Sequence, residues 1–280
     1  MNIYSTVGHF LGRLTRKYYF EDYVRVYPEG LAFYPFGLRR QATRNTLNNF
    51  RNHVKFYNFA AQFVPGKTVA DIGCGSGYGS AILRRSGAAR VCGADISRQA
   101  IRFAKSRYGD LANFTVQGVT DLRQYRDKSF DVAVANEVLE HIKEYEMEER
   151  AIIEMKRITR RGGLIVIGTP NAEMMPDHGF EFAEIRRLFE RNLPEFCLFE
   201  NALVPSGVAR SGWEQRRAKG DVGIIVSESV NLAETVWLND VEPEIKRGID
   251  PGLVALPPYH IDTSLLHNTH SWVIVAMNSD

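Results

Sequence analysis

Cysteine is scarce in this chain of 280 residues, with Cys74, Cys92 and Cys197 the only three. They are too few and too scattered for a disulfide framework or a structural zinc site. A reduced, cytoplasmic protein is therefore expected. Long apolar runs are also missing. No stretch reaches the roughly 18 residues of a spanning helix, so no transmembrane segment is expected. Nor is there an apolar core beside a small-residue cleavage site near Met1, so no secretory leader is expected. Repeats and low-complexity tracts are absent. Net charge is only +2, which by itself says nothing about nucleic acid. Charge is instead segregated. Residues 1–56 hold nine Lys and Arg against Glu21, Asp22 and Glu29, interleaved with Tyr and Phe, whereas Glu137 to Glu149 holds six glutamates.

What is present has a clear order. Val7, Phe10, Leu11, Leu14 and Tyr18 recur at helical spacing, with Arg13, Arg16 and Lys17 between them. The stretch from Tyr27 to Gly37 reads as loop. A second helix is expected over about 41–63 from Leu47, Phe50, Val54, Tyr57 and Ala61, ended by Pro65-Gly66. Short strands and helices then alternate. Strands are expected at 68–72, 90–94, 114–117, 130–135, 163–169, 196–203 and 271–277. Helices are expected at 78–86, 97–108, 144–158 and 181–191. This alternation predicts an α/β fold, a doubly wound, mostly parallel seven-stranded sheet with an antiparallel last strand. The chain is expected to divide into an N-terminal helical extension (1–64), a sheet-forming core (65–204), an insertion before the last strand (205–270) and a final core strand (271–280). A dimer is one oligomeric state the sequence allows.

The stretch VADIGCGSGYGS, Val69 to Ser80, follows the first strand. Ligands of doubly wound sheets bind beyond the C-terminal ends of the strands. Glycines at that rim permit positive φ and let a ligand approach the main chain, and the next helix offers free N–H groups. The spacing is not that of a P-loop, because no Gly-Lys-Ser/Thr follows, and it only nearly matches the dinucleotide pattern G-x-G-x-x-G. It reads as acidic-x-Gly-x-Gly-x-Gly: Asp71, Gly73, Gly75, Gly77.

That stretch resembles the first motif of class I S-adenosylmethionine-dependent methyltransferases. VCGADIS, FTVQGVTDL, SFDVAVANEVLEHI and RRGGLIVIGTPN agree in order and spacing, over roughly Lys67 to Asn171. The resemblance implies a Rossmann-like methyltransferase fold, S-adenosyl-L-methionine as cofactor and S-adenosyl-L-homocysteine as product. It implies cofactor contacts at Asp71, Gly73, Cys74, Gly75, Gly77, Asp95, Ile96, Gly118, Val119, Thr120, Asn136 and Glu137. In that set Asp95 grips the ribose hydroxyls and Ile96 lies flat on adenine. Asp71 orients the glycine loop and faces the cofactor's ammonium group. Asn136 lies beside the methionine end. Cys74 is a small turn residue without a redox role. Gly118 stands where many relatives carry an acid, so Asp121 or a backbone carbonyl would take the adenine amine.

Sulfonium methyl transfer is an in-line displacement that depends mainly on positioning, and an oxygen nucleophile must also lose a proton. Glu137, Glu140 and His141 follow the fourth strand. If that segment turns helically, the three share one face. Two carboxylates and an imidazole suit Mg²⁺ or Mn²⁺, with His178 as a fourth ligand. Glu-x-x-Glu-His resembles the metal motif of O-methyltransferases acting on ubiquinone precursors and on small-RNA ends. Catalytic roles are therefore expected for His141, Glu140 and His178. Without a metal, His141 serves as the base or as substrate wall. His260, His267 and His270 are further histidines near the last strand. The acceptor expected first is a small molecule or saccharide hydroxyl. RNA and a lipid quinone precursor follow, and RNA is disfavoured by the small net charge and the lack of a separate RNA-binding module. A non-catalytic cofactor-binding subunit and an NAD-dependent dehydrogenase are the remaining alternatives.

Overall fold

The computed structural model describes residues 52–54, 56–172, 175–202, 223–225 and 269–280. The expected N-terminal helix and the loop at 27–37 lie outside the described residues, as do His260, His267 and nearly all of the insertion. Of the second helix, residues 52–54 and 56–60 are helical, and a 3₁₀ turn at Ala61–Phe63 ends the run before Pro65-Gly66.

The core elements follow in chain order. They are β1 (Thr68–Ile72), α1 (Tyr78–Arg85), β2 (Arg90–Asp95), α2 (Arg98–Tyr108), β3 (Asn113–Val116), β4 (Phe130–Asn136), α3 (Glu140–Lys143), α4 (Glu148–Ile158), β5 (Thr159–Pro170), α5 (Phe182–Asn192), β6 (Phe196–Ala202), β7 (Gly223–Ile225) and β8 (Thr269–Met277). They form one sheet of order β3-β2-β1-β4-β5-β8-β6-β7. Strands β1 to β5 pair in parallel. β8 runs antiparallel between β5 and β6. All seven expected strands are present. An eighth, the three-residue β7 from within the insertion, adds to the edge of β6 in parallel.

Period-two alternation sends the strand side chains to two apolar layers. Val69, Val132, Val134 and Val166 join Leu83, Ile101 and Tyr57 on one face. Ala70, Ala133, Ile165 and Ile167 join Ile152, Met155, Ile185 and Phe189 on the other. The inner strands are apolar on both sides because both sides are covered, as parallel sheets require. Burying each Val or Ile removes about 1.5–3 kcal/mol of unfavourable exposure.

Local signals set the helix ends. Ser97 caps α2, its Oγ accepting from the Ala100 N–H at 2.9 Å. Glu181 and Glu184 form a capping box at α5. The helix expected from Glu144 to Ile158 is corrected at its start, because 144–146 form a turn and α4 begins only at Glu148. Glu146 takes φ 54° there. The Met147 N–H bonds the Ile142 carbonyl and the Glu146 N–H bonds that of Lys143. That pairing is a left-handed stop closing α3, which periodicity alone does not reveal.

Candidate active site

The C-terminal rim of β1, β2 and β4 gathers the candidate residues. Gly73, Gly75 and Gly77 all have positive φ, at 72°, 52° and 88°. At Gly73 the bare carbon is also a packing need, since a Cβ would collide with Val138 just beyond β4. The Gly75 N–H donates to Asp95 Oδ2 at 2.8 Å, and the Ser97 N–H donates to Asp95 Oδ1 at 2.8 Å. Asp95 is 8% exposed. Both of its oxygens thus accept from backbone N–H groups of the two adjoining turns. Ile96, next in the chain, is 76% exposed, and its Cδ1 would be 3.7 Å from a Cβ on Gly118. An apolar surface and a bare backbone therefore lie together at the tips of β2 and β3. Gly118 and Asp121 form an isolated bridge around Val119 and Thr120. The Thr120 carbonyl accepts from Arg150. The Asp121 carboxylate is engaged by Arg123, which holds it below the usual carboxylate range.

Asp71 lies deeper. It is fully buried, accepting from the Ser80 hydroxyl at 2.6 Å and the Tyr57 hydroxyl at 3.1 Å. Burial raises its pKa to about 6 against the opposing effect of those two bonds. Its direct partners are thus protein hydroxyls from α1 and from helical residues 56–60. Cys74 is buried and unpaired to any cysteine, and burial pushes its thiol well up.

The β4 end is organised differently. Asn136 ends the strand, its Oδ1 packed against Gly168 of β5. Glu137 takes φ 52° before the helix begins. The helical i,i+4 pairing expected of Glu137 and His141 is therefore corrected. The Glu137 carboxylate instead lies 2.7 Å from His53 Nε2. Glu140, at 4% exposure, accepts from the Thr169 hydroxyl at 3.0 Å. Its other oxygen is buried without a hydrogen bond, with His141 Nε2 at 3.9 Å. Burial, then the nearby Glu137, push its carboxyl well above the usual range. The His141 and His178 rings meet at 4.7 Å between centroids. Ligand atoms of Glu140, His141 and His178 all lie within 4.8 Å of one another. Glu137 is outside that group.

His53, Tyr57, Ser80 and Thr169 were not expected at the site. The first two had a readable signal, since they stand four apart in a helix that was expected. In the sequence, Tyr57 stands simply as one member of an apolar stripe.

Fold and rim define a doubly wound α/β domain with a glycine-rich turn at the carboxyl ends of its strands. Residues 70–167 match the family described as methyltransferase domain. A probable S-adenosylmethionine-dependent methyltransferase of Mycolicibacterium smegmatis is 30% identical over 44% of this chain and 45% of its own length. The chain thus spans less than half of that relative. A ubiquinone biosynthesis O-methyltransferase of Nitrosospira multiformis is 28% identical over 61% of this chain and 70% of its own. Among solved structures, a complex between the Haloferax volcanii Trm112 methyltransferase activator and the putative methyltransferase aligns with TM-score 0.53 at 16% identity. It covers 86% of this chain and 95% of that one, a likeness of fold alone. Among the described residues no helix is long and apolar enough to cross a membrane.

Proposed function

We propose that this chain is an S-adenosylmethionine-dependent methyltransferase acting in line on a hydroxyl of a small molecule or saccharide. One observation carries the reading. Three positive-φ glycines stand against a buried Asp95 at the adjoining strand tip, with exposed Ile96 beside it. The glycine loop leaves room for a nucleoside to lie on the backbone, Asp95 would accept from the ribose hydroxyls, and Ile96 supplies an apolar face for adenine. The cofactor supplies a methyl group on a sulfonium sulfur and departs as S-adenosylhomocysteine. Positioning by Asn136 and Glu137 at the β4 tip is then the main contribution to rate.

On the acceptor side, His141 would take the hydroxyl proton, with His178 as its ring neighbour. Glu140, His141 and His178 also fit a divalent ion such as Mg²⁺ or Mn²⁺. The supporting observation is the unpartnered, buried oxygen of Glu140 facing two imidazoles. Such an ion would lower the pKa of a bound hydroxyl and orient it. Similarity to the Nitrosospira enzyme favours a second acceptor class, a lipid quinone precursor.

Calorimetry with S-adenosylhomocysteine and a methyl-release assay over saccharide, phenolic and RNA acceptors test this reading. Binding and release are expected. Binding of NAD with no response to either sulfur nucleoside would overturn it, and binding without release on any acceptor would leave a non-catalytic subunit. A chelator is expected to abolish turnover and Mn²⁺ to restore it. Full turnover in chelator removes the metal and leaves His141 as base.

A further inference from the structure

Helical residues 52–54 and 56–60 send two side chains, four positions apart, into the candidate site. Tyr57 reaches Asp71. His53 touches both walls of the cleft. Its Nδ1 lies 2.6 Å from the hydroxyl of Tyr78, the first residue of α1 after the glycine loop. Its Nε2 lies 2.7 Å from Glu137 Oε2 at the tip of β4. Two small residues admit this segment. A Cβ on Gly79 would strike the Tyr57 ring, and one on Gly168 would meet Phe56 Cδ2 at 2.7 Å.

Glu137 is where this cross-link matters. A non-glycine residue at φ 52° is disfavoured and persists only when its surroundings over-determine it. Its N–H is tied to the Gly168 carbonyl at 2.8 Å, and its carboxylate is met by His53. The conformation of Glu137 sets the path of Val138, which packs on Gly73. A side chain from outside residues 70–167 thus contacts both the start of α1 and the β4 tip. We propose that His53 is a positioning residue of the cofactor site, holding Glu137 in its left-handed conformation and Tyr78 at the start of α1 so that the two walls stay at the spacing a sulfonium nucleoside needs. This rests on the proposed cofactor.

The test is S-adenosylhomocysteine binding by calorimetry, with thermal unfolding as a folding control. His53→Ala is expected to raise the dissociation constant about tenfold, the scale of a coupled contact. His53→Gln, which keeps a polar group in reach of Glu137, should recover most of that loss. In a Glu137→Gly background the positive φ costs nothing, so His53→Ala should have a markedly smaller effect than in the wild type. Unchanged binding by a folded His53→Ala variant overturns the proposal, as does an undiminished effect in the Glu137→Gly background. Should His53→Ala not fold, Tyr78→Phe reads the α1 contact alone. A weakened affinity supports the proposal and an unchanged one overturns it. Wild-type protein that ignores the nucleoside would sink the cofactor reading too, whereas wild-type binding with an indifferent His53→Ala sinks only the role of His53.

Discussion

The two ends of the candidate site are built by different means. The glycine-loop end is local. Gly73, Gly75, Gly77, Asp95 and Ile96 sit on two adjacent strand-to-helix turns, and their contacts are mostly backbone to carboxylate. The β4 end is assembled from afar, with His53, Glu140, Thr169 and His178 drawn from four separate segments. A motif can encode the first because the chain's own turns make it. The second depends on packing, which brings Glu140 and Thr169 from two motifs to His53 and His178, which lie outside them.

The sharpest way to break this contrast is where the two ends touch. Gly73→Ala adds a methyl against Val138 on a residue at φ 72°. Strain and overpacking together should cost about 3–5 kcal/mol of stability, measured by denaturant unfolding. A loss below about 1 kcal/mol, the low end of overpacking costs, would show that the ends are not in tight contact.

Asp71 offers the next largest effect. Its folded pKa near 6 lies above the unfolded value of 3.8. The folded state therefore holds a proton that the unfolded state has lost, and Asp71 lowers stability as pH rises from about 4 to above 6, by roughly 3 kcal/mol. Asp71→Asn should remove that fall, so its stability relative to wild type should improve across this window. A difference independent of pH would refute the assignment. Asp95→Ala should be smaller, weakening S-adenosylhomocysteine binding by about 1.5–3 kcal/mol through lost charge-assisted bonds. A wild-type dissociation constant in that variant would remove the ribose role and leave Asp95 as a tie between Gly75 and Ser97.

Much of the fold was legible. Alternating short apolar runs and capped helices placed all seven core strands, because periodicity and turn chemistry act over a few residues. The turn at 144–146, in place of the first residues of the expected 144–158 helix, escaped, since the left-handed Glu146 carries no glycine to announce it. The helical reading of Glu137 through His141 failed for the same reason, as Glu137 also takes a positive φ without being glycine. Asp71 illustrates the limit on partners. Its place after a strand was readable, while its Tyr57 and Ser80 hydroxyl donors depend on which helix lies above it.

By itself the amino-acid order determined the doubly wound sheet, the bare turn after β1 and the acid at the end of β2. These follow from backbone conformational preference and from apolar spacing along one stretch of chain. Only the tertiary structure decided that Glu137 turns to His53 while Glu140 meets His141 and His178. Those pairings link segments brought together by sheet order and helix packing, and side-chain direction there is set by neighbours far away in the chain.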